Sequence, residues 1–125
     1  MIEFVTYLAL FLLAAFTAFQ IALICGAPIG RFAWGGQHNV LPAKLRIGSA
    51  VAIVLYLLFA LLLADRAGLV DIVSDSVAHI GVWVVTVYLM SGILLNGISR
   101  SKPERFVMTP VTLVLAMSFL VVALS

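Results

Sequence analysis

The sequence predicts an all-α membrane protein, a bundle of four transmembrane helices arranged as two helical hairpins. Two observations lead to that prediction. Of the 125 residues, 65% are hydrophobic and 10% are charged, whereas soluble domains have roughly half and a quarter. In addition, four runs lack charged side chains, 4–30, 47–64, 76–99 and 106–125. Each run approaches or exceeds the roughly 20 apolar residues that a helix needs to cross the hydrocarbon core.

These runs place the spans at about 3–25, 47–64, 77–97 and 106–124, within a single domain of residues 1–125. The first run is longer than the apolar region of a cleavable signal peptide, and Glu3 stands where such a peptide has basic residues. We therefore expect the first run to remain as a span.

The basic residues predict the orientation of the spans. Four spans place the connections 26–46 and 97–105 on one side of the membrane, and the connection 65–75 with both termini on the other. Six of the seven Lys and Arg residues belong to the first side, and only Arg66 belongs to the second. The six are Arg31, Lys44, Arg46, Arg100, Lys102 and Arg105. Because cytoplasmic connections are enriched in Lys and Arg, we expect both termini to lie outside the cytoplasm.

Span one carries small residues at four-residue spacing, Ala14, Ala18 and Ala22. Small residues let helix backbones approach closely in lipid. Span two has a similar stripe, formed by Gly48, Ala52, Ala60 and Ala64. The two stripes predict that spans one and two pack as a tight hairpin.

Two polar side chains of this hairpin need partners. Gln20 in span one must face protein or water, because an unpartnered amide in hydrocarbon costs several kcal/mol. It either bonds a neighbouring helix or contacts a ligand. Tyr56 lies near the middle of span two, and we expect its hydroxyl to bond a neighbouring helix.

The connections carry turn and capping signals. Glycine and proline between Gly26 and Pro42 supply unusual backbone angles or stop helices, and they predict a structured loop. Gly68 is suited to end the second helix, and Ser74 or Asp75 to cap the third. Pro110 is expected to kink the fourth helix near its cytoplasmic end.

Span three is the most polar, and its polar residues lie toward the cytoplasm. Together with the glycine-rich loop, they predict a shallow polar vestibule that faces the cytoplasm. The candidate ligand-binding residues are Gln20, Arg31, Trp34, His38, Arg46, Tyr88, Ser91 and Asn96. With basic residues around it, such a vestibule would favour an anion or a lipid head group. The alternative is that the basic residues only fix the topology and the glycines only form turns.

Catalysis is not expected from these residues. Apart from Glu3 at the end of span one, no Asp, Glu, Lys or Arg falls within the four predicted spans. Proton-coupled transporters generally hold ionisable groups there, so proton-coupled transport is not expected either. The pair Cys25 and His38 is the one candidate for a reactive thiolate, but a cysteine at the end of an apolar span is usually inert. A single cysteine also excludes a multi-cysteine metal site. We therefore expect no enzyme activity, no metal and no cofactor.

Two loop patterns carry a resemblance. They are Gly26-x-Pro-x-Gly30-Arg31-x-x-Trp34-Gly35-Gly36 and Ser99-Arg100-Ser101-x-x-Glu104-Arg105. In these loops the chain resembles a group of small, uncharacterised four-span membrane proteins of bacteria. The resemblance implies a four-span inner-membrane architecture, and it implies no activity, cofactor or partner.

The sequence leaves two classes of function open. The favoured one is a protein that binds or passively conducts a small solute or lipid through the vestibule. The alternative is a non-catalytic assembly or packing subunit of a larger membrane complex. The expected partners are membrane lipids, together with further copies of the chain or a larger membrane protein, and no nucleic acid.

Overall fold

The computed structural model describes residues 1–125 and contains four long helices and no strand. They are α1 (Ile2–Ile24), α2 (Ala43–Arg66), α3 (Asp75–Gly97) and α4 (Thr109–Leu124). A π-helical segment, Glu104–Met108, runs directly into α4. Counting this segment with α4, all four helices are long and apolar enough to cross a membrane. The predicted all-α fold of four spans is confirmed.

The helices form a ring in chain order. Helix α1 packs beside α2 and α4, and α3 packs beside the same two helices. We call the end that carries residues 25–46 and 98–105 the loop end. The opposite end, with residues 67–74 and both termini, is the termini end. Large apolar side chains cover the outside of the bundle, as expected of a lipid-facing surface.

The tightly packed core occupies the half of the bundle near the termini end. Its fully buried side chains include Leu63 of α2, Val82 of α3, and Phe119 and Val122 of α4. Helix α1 contributes Val5, Ala9 and Leu13. All four helices therefore meet closely near the termini.

The expected close contact through the alanine stripe of α1 is wrong. Helices α1 and α2 are neighbours, but Ala14 and Ala18 are exposed on the bundle surface. The inward face of α1 instead carries larger side chains such as Leu13, Phe16 and Gln20. Four-residue spacing shows which residues share a face but not which face turns inward, and in α1 the polar residue Gln20 marks the inward face.

The connection between α2 and α3 has the predicted end signals. Helix α2 ends just before Gly68, whose φ of +83° suits a helix-terminating glycine. Ser74 caps α3, since its hydroxyl accepts a hydrogen bond of 3.3 Å from the amide of Val77. The carboxylate of Asp65 accepts two further backbone bonds, from Ile72 at 2.7 Å and Val73 at 2.9 Å. These contacts hold the short connection against the end of α2.

At the loop end, the two connections pack against each other. The amide of Gly30 donates to the carbonyl of Asn39 at 2.8 Å, which folds the first loop back on itself. A side chain on Gly30 would collide with the carbonyl of His38. The hydroxyl of Ser101 in the second loop donates to the carbonyl of Arg31 in the first. The two loop patterns of the sequence thus form one folded cap over the bundle.

The π-helical segment is located next to Pro110. Proline has no N–H, and its ring excludes the carbonyl four residues earlier, which here belongs to Phe106. Wider π-type bonding over Glu104–Met108 is one way in which a helix accommodates this exclusion. The structure thus shows a change of helix type just before Pro110, and the kink expected there stays a prediction.

Candidate functional site

A cavity of about 300 Å³ lies inside the loop half of the bundle. All four helices contribute to its wall, and the first loop closes it with Phe32, Ala33, Trp34 and Gly35. Eleven of its 18 lining residues are hydrophobic. A mostly apolar cavity with a few polar groups is the usual form of a small-molecule site.

Aromatic rings form the side of the cavity nearest the core. The ring centroids of Phe16 and Tyr56 are 5.9 Å apart, and those of Tyr56 and Phe59 are 6.3 Å apart. Phe59 in turn meets Tyr88 edge-on at 5.6 Å. These four rings link α1, α2 and α3, and Phe59 belongs to the core below the cavity. The row separates the cavity from the tightly packed half of the bundle.

Gln20 lines this cavity and is only 8% exposed. Its Nε2 donates to the hydroxyl of Tyr56 at 3.5 Å, so the expected bond between Tyr56 and a neighbouring helix is confirmed. That bond is long. Its Oε1 has no hydrogen-bond partner. Turning the amide over would exchange the two atoms, so either orientation leaves one buried polar atom of Gln20 unpartnered.

The polar stripe of α3 also reaches the cavity. Asn96 donates from Nδ2 to Oγ1 of Thr112 at 3.1 Å, which joins α3 to α4. Ser91 donates to the carbonyl of Tyr88 at 2.6 Å within its own helix. Tyr88, Ser91 and Leu95 line the cavity and are themselves exposed. The cavity is therefore open beside these residues of α3.

Trp34 forms part of the cavity wall in an unusual backbone conformation. Its φ is +53°, a region that bulky residues rarely adopt. An edge of the indole lies against Gly48 of α2, where an added Cβ would be 2.9 Å from the ring carbons Cη2 and Cζ2. The absence of a side chain at Gly48 thus makes room for Trp34. Gly35 and Gly36 follow with φ of +73° each, which glycine adopts without strain.

Glu104 is a cavity residue that the sequence did not predict. Its side chain is 7% exposed, and its Oε2 accepts a hydrogen bond of 3.2 Å from the amide of Gly35. It lies in the π-helical segment, inside the fourth apolar helix rather than in a loop. Glu104 precedes the predicted fourth span, 106–124, by two residues, so the expectation that this span lacks ionisable residues stays a prediction. The pattern Ser101-x-x-Glu104 was a usable signal, because it is typical of a helix start.

The remaining predicted site residues lie elsewhere. The Nε of Arg46 donates to the carbonyl of Leu41 at 2.8 Å, and its guanidinium covers Gly26. The guanidinium of Arg31 lies over the ring of Phe32 at 5.1 Å. His38 is exposed in the first loop. The cavity thus brings together Gln20, Trp34, Tyr88, Ser91 and Asn96 from the predicted set, without Arg31, His38 and Arg46.

This arrangement corrects the expected charge of the site. None of the seven Lys and Arg residues lines the cavity. The only formally charged side chain in its wall is the carboxylate of Glu104. The anion-favouring vestibule expected from the basic loops is therefore not this cavity.

Comparison of the chain with models of protein families, with curated proteins and with solved structures finds no significant match.

Proposed function

We propose that this membrane protein binds a small solute or lipid in the loop-end cavity. The observation that supports the proposal is Gln20, whose buried amide keeps one unpartnered polar atom at the cavity wall. An unsatisfied polar group buried in protein or lipid costs roughly 1–3 kcal/mol. A ligand with a complementary polar group would recover that free energy by bonding the unpartnered atom. An amide that only bridges two helices would gain no such bond from a ligand.

The packing favours binding over passive conduction. A conducting path would have to continue from the cavity to the termini end. The core there is closed by side chains such as Leu63, Val82 and Phe119, none of which is exposed. We therefore propose a binding site that opens beside α3, where Tyr88 and Leu95 are exposed next to the cavity. A ligand that enters from that side would carry an apolar part.

The charge distribution supports a further part of the proposal, the setting of the protein. Six of seven basic residues belong to the loop end, and cytoplasmic connections are enriched in such residues. We propose a bacterial inner-membrane protein, like the group that its loops resemble, with the loop end in the cytoplasm and both termini outside. The cavity then lies in the cytoplasmic half of the membrane.

Retention of bound molecules by purified variants tests the binding proposal. Protein in mild detergent is analysed by native mass spectrometry, with melting measured in parallel. Gln20→Leu and Asn96→Leu should lose molecules that the parent retains while keeping its helical content. Thr17→Leu is the matched control, because its hydroxyl bonds the carbonyl of Leu13 and does not line the cavity. If both leucine variants keep the same molecules but melt markedly earlier, the amides are structural and the proposal is wrong.

One observation favours an assembly subunit as the second candidate. Ala14 and Ala18 are exposed on α1 and present a small-residue surface that another transmembrane helix is able to approach closely. If the protein is an assembly subunit, the unsubstituted chain should purify as an oligomer without a bound molecule. Ala18→Leu should dissociate that oligomer, whereas Gln20→Leu and Asn96→Leu should not.

A further inference from the structure

We infer that the loop-end cavity binds an organic cation, an amine or quaternary ammonium group on an apolar body, with the carboxylate of Glu104 as its counter-ion. This inference rests on the proposed function and specifies the chemical class of its ligand. It follows from the juxtaposition of one buried carboxylate, one buried amide with an unpartnered atom, and a wall of aromatic rings.

The carboxylate of Glu104 has acceptor positions that no other group of the protein fills. At 7% exposure, it accepts one hydrogen bond, from the amide of Gly35. A carboxylate has about four acceptor positions, and buried charges are normally paired. The neighbouring guanidinium of Arg105 instead donates to the carbonyl of Ser99. A cationic group in the cavity would supply the missing partner.

Helix capping does not account for Glu104. In a capping box, the glutamate side chain reaches back to the backbone N–H of the capping serine. Here Ser101 does accept a bond of 3.4 Å from the amide of Glu104. However, the amide of Ser101 donates to Oγ of Ser99 at 3.2 Å. The carboxylate of Glu104 is turned instead toward Gly35 and the cavity wall.

The rest of the wall suits a cation with an apolar body. Six aromatic side chains line the cavity, namely Phe16, Phe19, Phe32, Trp34, Tyr56 and Tyr88. Aromatic faces attract organic cations, and they do so more strongly where water is excluded. The amide of Gln20 is able to present its oxygen to an ammonium N–H. An anion would find neither a Lys nor an Arg side chain in this wall.

The size of the site limits the ligand. A cavity of about 300 Å³ is at the lower end of the range for small-molecule sites. It therefore holds a compact head with one ring or a short chain. Any longer apolar part would leave through the opening beside Tyr88 and Leu95, where both residues are exposed.

Three probes of similar shape and different charge test the inference. They are benzyltrimethylammonium, its neutral carbon isostere neopentylbenzene, and the anion phenylmethanesulfonate. Binding to the full chain in nanodiscs is measured by calorimetry, with empty nanodiscs subtracted. The parent should bind the ammonium at least about tenfold more tightly than either of the other probes.

Glu104→Gln should lose that preference, because it removes the charge and keeps an acceptor for the amide of Gly35. Glu104→Asp, which retains the charge, should keep the ammonium as the preferred probe and guards against misfolding of the first variant. Glu3→Gln is the matched control, since it removes the same charge at the exposed start of α1. It should bind as the parent does.

The failures of the two proposals are distinguishable. Equal binding of the neutral isostere, unaffected by Glu104→Gln, would overturn the cation inference and leave the binding proposal standing. Tighter binding of phenylmethanesulfonate than of benzyltrimethylammonium would also overturn the cation inference and leave the binding proposal standing. If no probe binds but the parent retains a lipid that Gln20→Leu loses, the cation inference again fails alone. If no probe binds and no molecule is retained, both are overturned.

Discussion

Substitution of Gly48 by alanine tests whether Trp34 closes the cavity against α2. A Cβ at position 48 would approach two carbons of the indole to 2.9 Å, closer than van der Waals contact allows. Either the first loop shifts away from α2, or the indole of Trp34 leaves its position against residue 48. Because the loop backbone at Trp34 already has φ of +53°, we expect displacement of the indole to relieve that conformation.

The expected magnitude follows from two opposing effects. Replacing a helical glycine by alanine favours the helix by about 1 kcal/mol, while overpacking a filled site costs about 1–3 kcal/mol. Gly92→Ala is the matched control, because its Cβ would meet only Cγ2 of Thr112 at 3.6 Å, an ordinary contact. The control should gain stability. The difference in free energy of unfolding between the two variants, about 1–3 kcal/mol, measures the contact between Trp34 and Gly48.

Fluorescence reports the position of the indole directly. The chain has two tryptophans, so Trp83→Phe leaves Trp34 as the single emitter. In that background, Gly48→Ala should shift the emission of Trp34 to longer wavelength and increase its quenching by iodide, while Gly92→Ala should not. Unchanged emission, together with a stability equal to that of Gly92→Ala, would refute the docking of Trp34 on Gly48.

Two further predictions concern the termini end and the orientation. Asp65→Ala should lower the free energy of unfolding, because the amides of Ile72 and Val73 lose their acceptor. Asp71→Ala is the control, because Asp71 is exposed in the same connection, and it should have little effect in the same thermal unfolding assay. Equal effects of the two substitutions would contradict this account. Cysteines at Asp71 and His38, both exposed, in a Cys25→Ser background, should be labelled from opposite faces of intact cells. Labelling of position 71 only from the cytoplasm would reverse the proposed orientation.

The sequence predicted local features well where the chemistry is local. Helix-ending Gly68 and capping Ser74 act through bonds to nearby backbone groups, and both are found as expected. Four long apolar helices follow from length and composition, and the structure confirms four helices long and apolar enough to cross a membrane. Tyr56 required a partner on another helix, and Gln20 supplies it. In each case, one residue type at one position was sufficient for the prediction.

Prediction was poor where the answer depends on which neighbour a residue meets. The four-residue spacing of Ala14 and Ala18 defines a shared face, but spacing alone does not say whether that face turns inward, and the inward face of α1 is the one with Gln20. The bond between the carboxylate of Glu104 and the amide of Gly35 joins two connections 69 residues apart, and no local pattern indicates it. The contact between the indole of Trp34 and Gly48 likewise joins a loop to a helix.

The charge of the site shows why counting residues by membrane side is insufficient. Six basic residues belong to the loop end, and long-range attraction of anions to that surface follows from their number. Inside the cavity, the direction in which a charged side chain points matters more than the number of charged side chains nearby, because a charge that faces water is screened within about 10 Å. Arg31 lies over Phe32, and Arg46 is bonded to the carbonyl of Leu41. Glu104 is buried at the wall. A surface rich in positive charge thus encloses a site whose only charged side chain is a carboxylate.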